Sequence, residues 1–261
     1  MLFERVLLTG AAGRIGSCLR TGLRGELEEL RLTDSQPVGV LGAGETYAHA
    51  ELADRSAIAR AMDGIEAVIH LGGVADEAPF EELVHPNVHG TFNVFEAARR
   101  AGATRVVYAS SNRITGFYPV SQRISGDDPP RPDGLYAATK AWGEALGRLY
   151  ADKFGLEVIC LRIGSFESEP TEPRHLETWL SHGDAVCLFR ACLTAPGVEL
   201  LTMYGVSANS RSWWDIEDAA ERLGYMPEDD AEQWAERVGD DEAIRERQGD
   251  PFTARDYGGW T

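Results

Sequence analysis

The stretch that decides the fold lies near the start of the chain and reads Val6-Leu7-Leu8-Thr9-Gly10-Ala11-Ala12-Gly13-Arg14-Ile15-Gly16. Its apolar run ends in three glycines spaced three apart, and apolar residues then recur at helical spacing (Ile15, Leu19, Leu23). This order predicts a β-strand, a tight turn and the N-terminus of a helix. The free N–H groups of such a helix end bind anions, so the stretch predicts a phosphate or pyrophosphate site.

Each glycine of this turn has its own predicted role. Gly10 permits the tight turn, Gly13 lets the backbone approach a pyrophosphate, and Gly16 lets the helix pack closely on the strand. Asp34 follows a second apolar run, where a carboxylate can hold both hydroxyls of an adenosine ribose. The alternative is a glycine-rich turn that binds no ligand. The position of the turn and the presence of Asp34 favour a dinucleotide site.

The composition excludes two classes of partner. With 261 residues and a formal net charge of −17, the chain lacks the basic surface that nucleic acids and anionic membranes require. It has no apolar run of transmembrane length and no basic-then-apolar leader, so a cytoplasmic location is expected. The cysteines (Cys18, Cys160, Cys187 and Cys192) have neither metal-site nor disulfide spacing, which predicts buried thiols and no metal site.

Strand-like apolar runs alternate with helical patterns along the chain. This alternation predicts an α/β fold, a Rossmann-like doubly wound parallel sheet with helices on both faces. The length suits one domain over residues 1–261, in which residues 165–261 supply most of a small C-terminal, substrate-binding extension. In that extension, we expect a helix from about Asp184 to Leu193 and a strand from about Glu199 to Tyr204.

Two predicted central strands end where a ligand is expected. The apolar run Ala67–Leu71 ends at Gly72-Gly73, whose backbone can pass close to a cofactor. The predicted strand Thr104–Ala109 ends at Ser110-Ser111-Asn112. Ligands of open parallel sheets bind at the carboxyl ends of the strands, so these residues are expected at the site.

Two other segments leave alternatives open. Glu51 and Leu52 end the third strand, where they can bind the amino group and the ring of an adenine; an ordinary strand end followed by a helix cap fits equally well. A long helix from Phe80 to Ala101 is interrupted by Pro86. Asn87, next to that proline, either faces the active-site strand or points to solvent.

A catalytic pair is predicted at the start of a later helix. Tyr136 and Lys140 lie four positions apart, so their side chains share one face. A phenol with a pKa of about 10 needs a nearby cation to act as a base, so Lys140 is expected to lower the pKa of Tyr136. Ser111 can donate a hydrogen bond to the same substrate oxygen. Such pairs are common on helix surfaces, but the glycine turn and the strand-end serine favour catalysis.

The chain resembles the extended branch of the short-chain dehydrogenase/reductase superfamily in the order and spacing of its glycine turn, Asp34, Asn87, Ser111 and Tyr136-x-x-x-Lys140. Further motifs, spread over almost the whole chain, resemble those of uronate dehydrogenases. They are Ile69-His70-Leu71-Gly72-Gly73, Ala109-Ser110-Ser111-Asn112, Phe117-Tyr118-Pro119, Arg131-Pro132-Asp133-Gly134-Leu135-Tyr136, Arg162-Ile163-Gly164-Ser165, Ser207-Ala208-Asn209 and Trp213-Trp214-Asp215.

The resemblance implies an activity and a set of site residues. Uronate dehydrogenases use NAD to oxidise the anomeric carbon of a hexuronate, such as glucuronate or galacturonate, to an aldarolactone. Tyr136 would be the base, Lys140 its cation and Ser111 the oxygen donor. The residues implied to bind NAD are Gly10, Gly13, Arg14, Ile15, Gly16, Asp34, Glu51, Leu52, Leu71, Gly72, Gly73, Asn87, Tyr136, Lys140 and Ile163. Those implied to bind the sugar acid are Ala75, Ser111, Asn112, Arg113, Tyr136, Ser165 and Arg174.

The superfamily commonly forms dimers through the helix that holds the catalytic tyrosine, so a homo-oligomer is expected. The apolar face Trp142, Leu146 and Leu149 fits either a dimer contact or the core. Arg174 is implied to bind the substrate carboxylate. The alternative is an exposed arginine that balances nearby glutamates (Glu169, Glu172 and Glu177).

Four positions depart from the family pattern. Arg113 stands where the family has histidine, Ala75 where it has serine, and Phe166 where it commonly has cysteine. Glu51 replaces an aspartate but keeps the carboxylate. The nicotinamide chemistry is expected to survive, whereas Arg113 adds a cation that can meet a carboxylate or a phosphate bidentately.

Three other functions compete with a uronate dehydrogenase. The departures at Ala75 and Arg113 leave room for a 1-dehydrogenase of a neutral aldose or of a sugar phosphate such as glucose 6-phosphate. A nucleotide-sugar epimerase is disfavoured by the short C-terminal extension and by Thr115, where that group usually has tyrosine. A non-catalytic NAD sensor is disfavoured because the Tyr136–Lys140 pair is intact.

Overall fold

The structure, a computed structural model, describes residues 2–239 and 245–258. Its strands, in chain order, are β1 (Arg5–Thr9), β2 (Glu29–Thr33), β3 (Glu45–Tyr47), β4 (Ala67–His70), β5 (Arg105–Ser111), β6 (Glu157–Ile163), β7 (Ser165–Phe166), β8 (Trp179–Leu180) and β9 (Leu200–Gly205). Seven of these described strands form one parallel sheet in the order β3-β2-β1-β4-β5-β6-β9, and β7 pairs with β8 separately. The predicted Rossmann-like parallel sheet is confirmed.

Helices cover both faces of this sheet. They are α1 (Arg14–Gly22), α2 (Arg55–Ala61), α3 (Phe80–Leu83), α4 (Thr91–Ala101), α5 (Leu135–Phe154), α6 (His175–Thr178), α7 (His182–Thr194), α8 (Glu217–Leu223) and α9 (Ala235–Val238). Leu19 of α1 and Phe189 of α7 bury their side chains in the core on one face. Ile58 of α2 and Phe95 of α4 belong to the core on the other face. The doubly wound arrangement expected from the sequence is therefore present.

The predicted element bounds hold to within two or three residues, and one of the differences is informative. The strand expected to end at Ala109 continues through Ser110 and Ser111, because these residues pair with β6 in parallel register. The expected interruption of the helix at Pro86 is a π-helical turn over Val84–Gly90, which separates α3 from α4. A proline inside a helix removes one backbone hydrogen bond, and a widened turn accommodates that loss.

The prediction of four buried thiols is half wrong. Cys160 and Cys192 are buried, but Cys18 and Cys187 are only partly buried. Those two lie on α1 and α7, which pack against each other at the edge of the core, and the Cys18 thiol donates to the carbonyl of His182 at 3.6 Å. Both pack against the edge of the core, whereas Cys192, which is also on α7, lies inside it, so the face of the helix decides the exposure.

The described residues contain no helix that is both long enough and apolar enough to cross a membrane.

The end of the chain returns to the carboxyl edge of the sheet. In the C-terminal segment, residues 245–258, the amide of Gln248 donates to the carbonyl of Gln122 at 2.8 Å and accepts from the Trp214 indole at 2.9 Å. The backbone N–H of Gly249 donates to the carbonyl of Gly116 at 2.9 Å. These bonds hold the segment against the turn that follows β5.

Replacing Gly16 with alanine is expected to destabilise the fold. An added Cβ would lie 2.3 Å from the Gly10 carbonyl oxygen and 2.8 Å from the Ala11 Cα, so α1 would have to move off β1. Overpacking of this kind costs about 1 to 3 kcal/mol. Urea unfolding measures the loss. Gly13→Ala is the matched control, because its Cβ meets only the Gly10 oxygen, at 3.2 Å; equal losses in both variants would contradict the explanation.

Candidate active site

A cavity of about 1010 Å³ lies at the carboxyl edge of the parallel sheet. Its wall brings together almost all of the predicted site residues, from both ends of the chain. They are Gly10, Gly13, Arg14, Ile15, Gly16, Asp34, Glu51, Leu52, Leu71, Gly72, Gly73, Ala75, Ser111, Asn112, Arg113, Tyr136, Lys140, Ile163, Ser165 and Arg174. The described residues contain no cluster of histidine, cysteine and carboxylate side chains that could hold a metal ion.

The glycine turn presents bare backbone to this cavity. Gly10 has a φ of +69°, and a Cβ there would lie 2.8 Å from the backbone nitrogen of Gly72. Gly13 is the N-cap of α1 and has no side chain to occupy the first N–H groups of that helix. No acidic residue lies in the first turn of α1. These N–H groups are therefore available to an anion, which fits the pyrophosphate of a dinucleotide.

Asp34 is fixed beside the turn. One of its carboxylate oxygens accepts from the backbone N–H of Ala12 at 2.9 Å, and the other accepts from that of Gln36 at 2.8 Å. The carboxylate thus stands at the end of β2 on the cavity wall. Glu51 is exposed and Leu52 is partly buried at the same end, where Leu52 packs against Gly72 and Gly90.

Asn87 lies off the cavity wall. Its amide oxygen accepts from the backbone N–H of Val74 at 2.8 Å, and its nitrogen donates to the Val74 carbonyl at 3.0 Å and to the Thr139 hydroxyl at 3.1 Å. The side chain therefore ties the loop after β4 to α5, so neither alternative, solvent or active-site strand, describes it fully. Its part in cofactor binding stays a prediction.

The proposed catalytic side chains lie together below the cavity. Tyr136 and Lys140 are buried on successive turns of α5, and the ammonium of Lys140 lies 5.8 Å from the centre of the Tyr136 ring. That ammonium donates to the carbonyl of Ala109 at 2.9 Å, and burial lowers its pKa to about 8. Ser111, at the end of β5, lowers the pKa of the phenol. Its hydroxyl donates to the Asn112 amide oxygen at 3.5 Å and accepts from the backbone N–H of Arg113 at 3.3 Å.

The pKa of the phenol lies above its usual value, where a lowered pKa was expected. Burial raises the pKa of Tyr136 to about 12, which outweighs the lowering by the Ser111 hydrogen bond and by the charge of Arg113. The negative charges of Asp76 and Asp133 raise it further. Spacing on a helix places a cation near the ring, but it does not reveal the desolvation or the surrounding carboxylates.

Glu77, which the sequence analysis missed, caps the helix that carries Tyr136 and Lys140. Its carboxylate accepts from the backbone N–H of Leu135 at 2.8 Å and from that of Tyr136 at 3.2 Å. The N-cap of α5 is Gly134, and a Cβ there would lie 2.3 Å from a Glu77 oxygen. A carboxylate on helix N–H groups is favourable, but this cap comes from a distant loop and leaves no local signal.

Arg113, the departure from the family histidine, is held by acidic side chains. Its Nε donates to Asp133 at 2.9 Å and its Nη1 donates to Asp76 at 2.7 Å. The guanidinium carbon lies 5.4 Å from the centre of the Tyr136 ring and 4.3 Å from that of Phe252. Two directions of the guanidinium are therefore occupied by carboxylates of the protein itself.

Arg174 has two donors without a hydrogen-bond partner among the described residues, whereas Arg113 has one, its Nη2. Its side chain is only 11% exposed, and its Nη1 donates to the Ser165 hydroxyl at 3.2 Å. Its Nε and Nη2 are buried with no hydrogen-bond partner among the described residues. Burial, with the nearby charges of other arginines, lowers the pKa of Arg174.

The alternative of an exposed arginine that balances three glutamates is therefore wrong. Glu169 binds Arg237 and Glu177 binds Arg245, each at 2.8 Å. Glu172 lies 3.8 Å from Arg174, a distance beyond a hydrogen bond. The Nε and Nη2 of Arg174 thus stay without an acceptor among the described residues.

Phe252 is a cavity residue that the sequence analysis also missed. The C-terminal segment places its ring on the wall, 4.9 Å from the guanidinium carbon of Arg174. It is held there by the bonds of Gln248 and Gly249. A single phenylalanine far from any motif carries no signal in the sequence.

Comparisons with known proteins agree with this geometry. Residues 6–237 match the family model described as "NAD dependent epimerase/dehydratase family". A uronate dehydrogenase of Pseudomonas putida is 44% identical over 90% of this chain and 88% of its own length. An NAD-dependent glucose-6-phosphate dehydrogenase of Haloferax volcanii is 35% identical over 88% of this chain and 95% of its own.

Solved structures agree as well. A glucuronic acid dehydrogenase from Chromohalobacter salexigens is 38% identical, with a TM-score of 0.94 over 99% of this chain and 100% of that one. A mutant uronate dehydrogenase from Agrobacterium tumefaciens, complexed with NAD, is 40% identical, with a TM-score of 0.91 over 96% of this chain and 97% of that one.

The position of Asp34 predicts a preference for NAD over NADP. A 2′-phosphate would meet the carboxylate, and the following residues, Ser35 and Gln36, offer no arginine to receive it. Asp34→Ala should weaken NAD binding by about 1.5 to 3 kcal/mol, the usual value of a charged hydrogen bond, and NADP binding by less. Titration calorimetry with both dinucleotides measures this.

Asp34→Asn is the control for support of the turn. Its amide oxygen can accept from one of the two backbone N–H groups that Asp34 binds, that of Ala12 or that of Gln36, while the negative charge is gone. NADP binding should therefore improve relative to NAD in this variant. Equal affinity of the unaltered protein for the two dinucleotides would contradict the role of Asp34.

Proposed function

The chain belongs to the NAD dependent epimerase/dehydratase family, and we propose that it oxidises the anomeric carbon of a hexuronate, glucuronate or galacturonate, to an aldarolactone with NAD. One observation carries the proposal. A single cavity contains a bare glycine turn for a dinucleotide, the buried Tyr136–Lys140–Ser111 group and a buried guanidinium with unpartnered donors. The uronate dehydrogenases at 40–44% identity support the same reaction.

The oxidation removes a proton from the anomeric hydroxyl and a hydride from C1. The hydroxyl proton passes to the phenolate oxygen of Tyr136, and NAD, when bound, would accept the hydride from C1. The oxidation of a cyclic hemiacetal in this way gives a lactone directly, so no water takes part. Ser111 donates a hydrogen bond to the substrate oxygen, and Lys140 places positive charge beside the phenol.

NAD would lie along the edge of the sheet. We assign its pyrophosphate to the glycine turn and the first turn of α1, and its adenosine ribose to Asp34. Its adenine would lie at Glu51 and Leu52, which line the cavity beyond β3. The residues assigned to the nicotinamide half are Leu71, Gly72, Gly73, Asn87, Tyr136, Lys140 and Ile163.

The substrate would lie between the catalytic group and residues of the extension 165–261. We assign its carboxylate, at the far end from C1, to Arg174 and the adjacent Ser165 hydroxyl. Ala75 and Asn112 line the same cavity and are assigned to the sugar ring. Arg113 lines it too, but its bonds to Asp76 and Asp133 do not favour a substrate phosphate there.

The competing functions have less support. The case for a sugar phosphate rests on Arg113, whose Nε and Nη1 are bound to Asp133 and Asp76. An NAD sensor would not need Tyr136 and Lys140 buried beside each other.

We also propose that the enzyme is cytoplasmic and homo-oligomeric. Leu149 on α5 is 48% exposed and would lie in the contact between subunits, whereas Leu146, on the same face, is buried in the core.

Tyr136→Phe should abolish turnover and leave NAD binding nearly unchanged. The variant loses the oxygen that takes the proton but keeps the packing of the ring, and general base catalysis contributes about 10² to 10⁴ in rate. NADH absorbance with glucuronate measures the first effect and calorimetry with NAD the second. Near-normal turnover in this variant would rule out the mechanism.

Arg174→Ala should lower kcat/KM for a uronate, by a loss of about 1.5 to 3 kcal/mol of transition-state stabilisation, because a charged hydrogen bond to the carboxylate is lost. The same change should barely alter the rate on a neutral aldose. Arg237→Ala is the matched control, since Arg237 binds Glu169 at the surface and faces no substrate. Equal losses of the Arg174 variant on glucuronate and glucose would show that Arg174 only supports its loop.

A further inference from the structure

The guanidinium of Arg113 is buried directly beside the proposed base. Its side chain is 7% exposed and its carbon lies 5.4 Å from the centre of the Tyr136 ring. It is held there from two directions, by Asp133 at 2.9 Å and Asp76 at 2.7 Å. A third carboxylate, that of Glu77, lies 3.5 Å from its Nη2.

Without Arg113, the negative charges of these carboxylates would act on the Tyr136 phenol with no guanidinium to oppose them. Asp133 and Glu77 are buried, with side chains 0% and 3% exposed, and Glu77 also binds the backbone N–H of Tyr136. Negative charge at Asp76 and Asp133 raises the pKa of Tyr136, and the positive charge of Arg113 lowers it. Arg113 thus compensates a set of acidic groups that opposes phenolate formation.

Lys140 is a weaker source of positive charge than Arg113 at alkaline pH. Burial lowers the pKa of Lys140 to about 8, so its ammonium loses its proton within the range in which a base is formed. A guanidinium keeps its charge throughout that range. Arg113 is therefore the permanent cation beside the ring.

The charged and titratable groups around Tyr136 come from every element that packs against it. Within residues 2–239 and 245–258 they are Asp76 and Glu77 after β4, Tyr108 on β5, Arg113 after β5, Asp133 before α5, Lys140 on α5, Arg174 before α6, and Tyr257 in the C-terminal segment. His70, behind Lys140, has its pKa lowered to about 3 by burial and stays neutral.

We propose that Arg113 is a positioning residue for proton transfer: it makes Tyr136 a usable base by neutralising the carboxylates around it, and it binds no charge of the substrate. The inference rests on the proposed function for its kinetic test. It assigns a role to the position at which this chain departs from the family histidine. It also explains why three acidic side chains surround the substituted residue.

The pH profile of kcat/KM for glucuronate oxidation tests the proposal. Arg113→Gln should move the acidic limb upward by about 1 pH unit, the low end for a charge at this distance, because the carboxylates already screen it. The KM for glucuronate should not change. Arg113→Lys should keep the limb close to that of the unaltered protein, because the charge remains.

Two further variants separate charge from folding. In Arg113→Gln/Asp133→Asn one opposing negative charge is also removed, so the limb should return toward its original position, while Glu77 keeps its bonds to the backbone N–H groups of Leu135 and Tyr136. Arg105→Gln is the matched control, since Arg105 is buried and binds Glu157 at 2.6 Å at the opposite end of the sheet. This control should lower the melting temperature and leave the limb in place.

An unshifted limb in folded Arg113→Gln would overturn the proposal, as would a raised KM with no shift, which would make Arg113 a substrate contact. If no uronate supports NADH formation, the proposed function fails and a measurement without substrate decides. The ¹³C signal of the Tyr136 phenol, assigned with Tyr136→Phe, should titrate at higher pH in Arg113→Gln/Asp133→Asn than in Asp133→Asn. Equal titration in those two proteins would overturn the inference.

Discussion

The close approach of α1 to β1 and β4 is the constraint on which the rest of the structure depends. It is possible because Gly10 and Gly16 have no Cβ: one at Gly10 would meet the backbone of Gly72, and one at Gly16 would meet the Gly10 carbonyl. The same contact brings the N-terminus of α1 to the carboxyl edge of the sheet. The cavity wall, the anion site and the loop after β4 all take their positions from it.

Burial is the second theme of the site, and it acts against catalysis as well as for it. Excluding water from the Tyr136 phenol strengthens each charge around it, but desolvation also raises the pKa of that phenol. Neighbouring side chains offset this effect in part. Glu77 binds the first backbone N–H groups of α5, and Ser111 lowers the pKa of the phenol. The catalytic group is therefore a property of several loops, and α5 alone does not create it.

The parts of this site that the sequence predicts are those set by short-range rules. The glycine turn, the strand ends and the Tyr136–Lys140 spacing each follow from local geometry, and all of them line one cavity. The parts that sequence reasoning misses depend on contacts between distant segments. Glu77 caps a helix 58 residues later, and Phe252 reaches the wall from the C-terminal segment. The prediction of a lowered pKa for Tyr136 failed for the same reason, because burial depends on the tertiary structure.

The docking of the C-terminal segment has a consequence for how the protein is made. Gln248 binds the carbonyl of Pro119, 129 positions earlier, and Phe252 completes the wall next to Arg174. During synthesis the parallel sheet can assemble while this segment is still inside the ribosome. The dinucleotide end of the cavity can therefore form first, and the sugar end closes only when residues 245–258 have left the ribosome. A nascent chain paused before that point would already present a cofactor site without a complete substrate site.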